Sequence, residues 1–404
     1  MKVIEKKHIL PFILVTSLFA LWGLANNMTD TLLAAFRKIM QMSDTQTSFI
    51  QMSFYGAYFC LALPAALFIR KHSYKSGVIL GLCLYALGSI LFLPAAEAAS
   101  YTFYLIAIYI MAAGCSVLET TANPYIMSMG SPETATRRLN IAQSFNPVGS
   151  ILGILVSKYF ILQDISLYSV SGTYAAVGGM LLVIMVVMLF AKMPEGSDAS
   201  AFKFQDSGLK ATFKRLLKNR KYTFGVIAQF FYVGAQIGVW SFTIQLVMKE
   251  LDMVESQAAT LYLVSIIGFC LSRFVYTWLM KFIPPVKLLM VGSVLSAVCA
   301  LVVVLTEGWL CVGSLVLISV FMSLMFPTIY GIALVSLSES EHPDDTKIGA
   351  SGLIMAILGG ALLTPLQGIV SDYSNINASY LIPLVCFIVV LIYAIRANRP
   401  HCAL

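Results

Sequence analysis

Residues 192–221, KMPEGSDASAFKFQDSGLKATFKRLLKNRK, form a polar, lysine-rich passage between two long successions of apolar runs. Hydropathy and turn signals place six apolar segments on each side of it. The rest of the chain shows why these segments belong in a bilayer. Of 404 residues, 26 are Lys or Arg and 19 are Asp or Glu, so 11% are charged, against about 25% in a soluble domain. With 59% apolar residues and a mean hydropathy of +0.86, the chain has too few polar side chains to cover a water-facing surface. An α-helical span takes about 20 apolar residues, so twelve take roughly 240 to 260 and leave about 150 for loops and helix ends. The expected fold is an all-α membrane protein of twelve transmembrane helices in two six-helix bundles, residues 1–192 and 222–404, joined by a cytoplasmic linker at 193–221.

Other classes fall on the same arithmetic. The net charge of +7 is spread over loops and forms no groove-sized basic surface, which excludes a soluble enzyme or a nucleic-acid binder. Outer-membrane strands alternate over about ten residues, whereas continuous apolar runs here are twice that length. The first run, 9–36, follows Lys2, Lys6 and Lys7 in the manner of a secretory signal. It is too long for one and contains Asn26, Asn27 and Asp30, so it reads as a retained span.

The expected spans are 9–36, 46–69, 76–95, 101–129, 139–163, 173–191, 222–248, 257–280, 286–306, 309–338, 348–371 and 379–396. With the N-terminus inside, the outer loops hold only Arg37, Lys38, Lys158 and Lys249, and Arg273 lies within the eighth span. The remaining Lys and Arg fall on the inner side, which sets both termini in the cytoplasm. The segment FIRKHSYKSGVILG (68–81) resembles MKFIPPVKLLMVG (280–292), a weak internal repeat between the halves. Residues 209–218 suit either a short amphipathic helix on the inner leaflet or a solvated connection.

Seven cysteines, Cys60, Cys83, Cys115, Cys270, Cys299, Cys311 and Cys386, lie inside apolar runs and Cys402 lies in the tail. None has metal-ligand spacing, so they read as small apolar residues, and no metal or cofactor is expected. His8, His72, His342 and His401 all fall in polar segments. No histidine is placed to carry a proton at mid-membrane.

A polar side chain at mid-span belongs against another helix or a water-filled cavity. Asp30 and Glu119 are the carboxylates lying well inside apolar runs, where each costs about 2.5 to 3.5 kcal/mol on insertion scales. Asp30 follows Asn26 and Asn27 by one turn, and Glu119 has Ser116 at i−3 and Asn123 at i+4, so each acid heads a polar stripe. No basic residue of the N-terminal half lies at matching depth. A desolvated carboxyl without a cation can bind and release a proton near neutral pH, which makes this pair the candidate proton carriers. The alternative is a protonated acid or a helix-to-helix hydrogen bond.

The fifth span carries Asn140, Gln143, Ser144 and Asn146 before Pro147. Gln143 and Asn146, at i and i+3, supply amide donors and acceptors suited to sugar hydroxyls. In the seventh span Gln229, Tyr232, Gln236 and Trp240 form one stripe of amides and aromatics. That stripe can bond the polar edge of a sugar and stack on its C–H face, or simply bond neighbouring helices. Pro124, Pro147, Pro327 and Pro365 interrupt spans four, five, ten and eleven and free backbone groups that neighbours must satisfy. The pairs Gly149/Gly153 and Gly234/Gly238 predict close helix packing. Arg273 is expected to snorkel or to pair locally, with no substrate role.

The segments LFALWGLANNMTDTLLAAF (18–36), AAGCSVLETTANPYIM (112–127) and RRLNIAQSFNPVGSILG (137–153) resemble the fucose:proton symporter family of the major facilitator superfamily. AQFFYVGAQIGVWSF (228–242), LSRFVYTWLMKF (271–282), FMSLMFPTIYGIAL (321–334) and GGALLTPLQGIVSD (359–372) continue the likeness. It covers nearly the whole chain in order. The loop SESEHPDDTK (338–347) departs from it by its length and bears on the cytoplasmic face.

The resemblance implies the major facilitator fold and proton-driven uptake of a monosaccharide across the bacterial inner membrane. Asp30 and Glu119 stand at the family's acidic positions of spans one and four, tied to proton coupling and sugar recognition. Asn27, Gln143 and Asn146 stand as cavity-lining groups, and Asn123, on the polar stripe of Glu119, is a further candidate sugar contact. The implied partners are the sugar, protons and the bilayer, with no nucleic acid; the chain is expected to act as a monomer and not as an enzyme. L-fucose leads the substrates, with glucose, galactose or N-acetylglucosamine as alternatives. A transporter-like sugar sensor is the competing reading, against which stands the short tail after Arg396.

Overall fold

The computed structural model describes residues 3–4, 8–39, 44–161, 166–191, 193, 209–338 and 343–398. Every regular element among them is helical. The first half holds α1 (Ile9–Ile39), α2 (Asp44–Lys71), α3 (Tyr74–Ile90) with its short continuation α4 (Phe92–Glu97), and α5 (Tyr101–Ser128). The fifth span is broken into α6 (Ala135–Gln143) and α7 (Asn146–Val156), and α8 (Leu167–Phe190) follows. After α9 (Leu209–Lys218) come α10 (Arg220–Leu251), α11 (Glu255–Leu279) and α12 (Pro285–Leu305). Two more broken spans, α13 (Gly308–Met322) with α14 (Met325–Ser338) and α15 (Pro343–Met355) with α16 (Leu358–Tyr373), precede α17 (Ile376–Ser379) and α18 (Leu381–Ala397). Among the described residues, 11 stretches are long and apolar enough to cross a membrane, and Ile9–Ala25 within α1 is a shorter apolar helix.

The surface shows which solvent this fold is built for. On α8, Val183, Val186, Val187 and Phe190 are exposed, as are Leu271, Val275 and Trp278 on α11. Contiguous apolar stripes of this kind belong against lipid. Lipid tails are as apolar as leucine, so helix association must come from close packing and hydrogen bonds. The packing of α7 on α1 shows how. A Cβ on Gly149 would overlap the Ala20 carbonyl, and one on Gly153 would lie 2.7 Å from the Leu24 oxygen, so the two backbones touch directly.

The chain folds into two compact units. One comprises Met1–Pro132, Phe145–Thr212 and Glu341–Met355; the other comprises Glu133–Ser144, Phe213–Ser340 and Ala356–Leu404. The fifth and eleventh spans are therefore each shared between units, and the divisions fall at their internal breaks. Residues 209–218, left open between helix and loop by the sequence, are helical, with Thr212 and Leu216 buried at i and i+4 and the lysines exposed. The side chain of Asn219 accepts from the Tyr222 N–H at 3.0 Å and starts α10, satisfying one orphan donor of its first turn.

A polar corner closes one end of the second unit. The Glu250 carboxylate accepts from the Gly308 N–H at 2.7 Å and from the Asn377 amide at 3.0 Å. Lys249 donates to Asn377 Oδ1 at 2.6 Å. Gly308, with φ of +64°, takes a left-handed turn that suits glycine. One buried side chain thus ties α10 to the α12–α13 turn and to α17. Glu250→Ala removes both acceptors and is expected to lower stability by about 2–3 kcal/mol, read as a drop in the unfolding midpoint of the purified protein. The Lys249–Glu250 ion pair, 3.6 Å long with Lys249 half exposed, adds little to that.

Candidate functional site

The first unit carries its acid on α5. Glu119 is 2% exposed, within a run of buried polar residues, Ser116, Thr120, Thr121 and Asn123. The spacing i, i+4 sets the Asn123 side chain beside its carboxyl on the same face of α5. Ser116 turns away and donates to the Tyr58 carbonyl on α2 at 3.3 Å. Among the described residues no Lys or Arg pairs with Glu119. This is a carboxyl shut away from water beside an amide and, among the described residues, without a Lys or Arg counter-ion.

The amides of spans one and five lie along the α1–α7 contact. Asn27 Nδ2 donates to the Gly23 carbonyl at 3.3 Å, and Asn146 Nδ2 donates to the Phe19 carbonyl at 3.3 Å. Both are partly buried. Among the described residues no donor reaches either amide oxygen. Asp30 belongs to α1, but its side chain, like that of Asn26, lies outside the described residues.

In the second unit the predicted stripe runs along α10. Gln229 and Tyr232 are 0% exposed, while Gln236 and Trp240 are partly buried. Among the described residues neither amide atom of Gln229 has a hydrogen-bond partner. Trp240 Nε1 donates to Ser319 Oγ at 3.2 Å and its ring meets Phe269 edge-on at 5.0 Å. Tyr232 faces Phe326 at 6.4 Å, and Phe326 stacks on Tyr330. Gln143, buried at the end of α6, joins this unit. Asn140 and Thr328 exchange hydrogen bonds at 3.3 and 3.4 Å.

Sequence reasoning missed Tyr58, Phe269 and Ser319, and of its two readings of Arg273 the structure favours local pairing. Arg273 does not snorkel: it is 3% exposed, donates to the Ser323 carbonyl at 2.7 Å and the Gln143 carbonyl at 3.0 Å, and lies 4.5 Å over the Phe269 ring. The available signal was an arginine in an apolar run together with prolines that leave carbonyls without donors.

Eleven membrane-length apolar stretches and one shorter apolar helix among the described residues, with breaks in the fifth, tenth and eleventh spans and buried amides and a buried carboxyl, fit the class of polytopic secondary transporters. The chain belongs to the Major Facilitator Superfamily, whose family profile matches residues 13–344. It is 40% identical to the L-fucose-proton symporter of Haemophilus influenzae over 98% of both chains. It is 35% identical to the L-fucose-proton symporter of Escherichia coli, over 96% of this chain and 93% of that one. The crystal structure of the Major Facilitator Superfamily transporter FucP in the outward conformation superimposes with a TM-score of 0.90 at 34% identity, covering 98% of this chain and all of the other. The chain is accordingly a transporter and not an enzyme.

Proposed function

We propose that this protein takes up L-fucose together with protons across a bacterial inner membrane, with both termini in the cytoplasm, as a monomer and with no cofactor beyond the co-transported proton. The observation that carries the reading is Glu119, a buried carboxyl beside Asn123 with no Lys or Arg paired to it among the described residues, in a chain similar from end to end to L-fucose-proton symporters. Six-helix bundles at 1–192 and 222–404 alternate access to a central site. The linker 193–221 lies on the cytoplasmic face, where the lysines of α9 meet anionic lipid. Asn27, Asp30, Glu119, Asn123, Gln143 and Asn146 contact the sugar, and Gln229, Tyr232, Gln236 and Trp240 offer it amides and rings.

The coupling is electrostatic. Protonating Glu119 or Asp30 removes a charge whose burial is costly and so lowers the barrier to closing the cavity. Sugar and proton then favour the same closable state, and each raises the affinity for the other by the same factor.

Uptake of labelled L-fucose, galactose, glucose and N-acetylglucosamine into proteoliposomes, with and without an inward proton gradient, tests the reading. L-fucose uptake is expected to be fastest and to be stimulated by the gradient. Binding without uptake would make the protein a sensor, and uptake indifferent to the gradient a passive facilitator.

A further inference from the structure

Among the described residues the buried Arg273 has no acid beside it, and the two carbonyls it holds are related by a feature of the sequence. In an α-helix the carbonyl of residue i accepts from the N–H of residue i+4, and proline has no N–H. Gln143 stands four residues before Pro147, and Ser323 stands four before Pro327. Both carbonyls therefore lack their intrahelical donor, at the two places where the fifth and tenth spans break. Arg273 Nη1 supplies one donor and Nε the other.

We infer that Arg273 is a positioning residue whose guanidinium replaces the two backbone donors that Pro147 and Pro327 withhold, and so fixes the breaks in spans five and ten. The charge balance agrees. Gln143 ends α6 and Ser323 caps α13, and a helix C-terminus carries about half a negative charge. Two such ends offset one guanidinium, which explains how a cation is buried where, among the described residues, no carboxylate pairs with it. The planar fork also matters, because two fixed acceptors need donors at fixed angles that an ammonium does not present.

The placement reaches the candidate sugar contacts. Thr277 donates to the Arg273 carbonyl at 2.7 Å and lies 3.4 Å from Ser144, the cap of α6. On its other side Arg273 covers Phe269, which packs edge-on against Trp240. One side chain thus holds the end of α6, where Gln143 stands, and the ring that supports Trp240. The binding part of this role rests on the proposed sugar transport; the backbone part does not.

The test combines loss with restoration of the missing N–H groups. Arg273→Met is expected to lower the unfolding midpoint of the purified protein, and Arg273→Met with Pro147→Ala and Pro327→Ala is expected to recover it. Should the methionine variant fail to fold, folding of the triple variant is the same rescue. A triple variant no more stable than the single one overturns the inference. Arg273→Lys, able to serve one carbonyl well, is expected to raise the KM for L-fucose about tenfold per folded protein, the scale of one buried acceptor left unpaired. Adding Pro147→Ala is expected to bring it back. An unchanged KM in Arg273→Lys, or one that Pro147→Ala does not restore, also overturns it. If the wild type carries no sugar, the transport reading fails while the stability rescue still decides the role of Arg273.

Discussion

Glu119→Gln is expected to abolish proton-driven sugar accumulation and to leave the protein folded. Glutamine has the shape of glutamate and fits the same buried place beside Asn123. It has no proton to exchange. With no Lys or Arg paired to Glu119 among the described residues, the substitution strands no counter-ion, so the stability change is expected to stay within about 1 kcal/mol. The transport effect is far larger. One charge moving down 100 mV releases about 2.3 kcal/mol, which sustains more than about tenfold accumulation, and the variant is expected to equilibrate sugar at a ratio of about one. Asp30→Asn is expected to lose accumulation in the same way while keeping sugar exchange. Labelled uptake under an imposed gradient, with the folded fraction checked by size-exclusion chromatography, measures both. Wild-type accumulation in Glu119→Gln removes the acid from the coupling.

Gly149→Leu is expected to prevent assembly of the first unit. The Cβ alone would overlap the Ala20 carbonyl, and the obstructing atoms are backbone, which no rotamer change relieves. Ordinary overpacking costs about 1–3 kcal/mol; a clash of main chain against main chain on α1 is expected to exceed the upper figure. The control is Gly179→Leu on α8, where nothing lies within 4 Å and the position is exposed. Yield of monodisperse protein separates the two: Gly179→Leu is expected to match the wild type and Gly149→Leu to be lost. Equal yields would show that α1 and α7 do not meet as closely as described.

The legible features are those that depend on local sequence. Lengths and ends of the apolar runs follow from hydropathy, and the helices begin within a few residues of the expected positions, as at Tyr101 and Pro285. Gly149 and Gly153 announce close packing because only small residues let backbones approach, and the structure names the partner, α1. The acid at 119 is conspicuous because ionisable groups are rare in apolar runs.

What sequence alone withholds is the partner of each polar group. Pro147 and Pro327 declare that two carbonyls are orphaned, yet nothing local says that the donor comes from residue 273, over 100 positions from one carbonyl and 50 from the other. An arginine in an apolar run reads equally as a snorkelling side chain until those carbonyls are found beside it. The stripe on α10 reads as one surface by spacing, whereas the structure buries Gln229 and Tyr232 fully and leaves Gln236 and Trp240 partly open. Depth along a helix is set by its neighbours, and periodicity carries no record of them.

The most direct measurement records proton movement itself. L-fucose is added to lightly buffered proteoliposomes with potassium and valinomycin present, and the external pH is followed. The wild type is expected to alkalinise the medium as sugar enters, and Glu119→Gln to give no signal at matched protein. An identical alkalinisation in both, or none in a wild type that still takes up the sugar, would contradict a proton carried with L-fucose by Glu119.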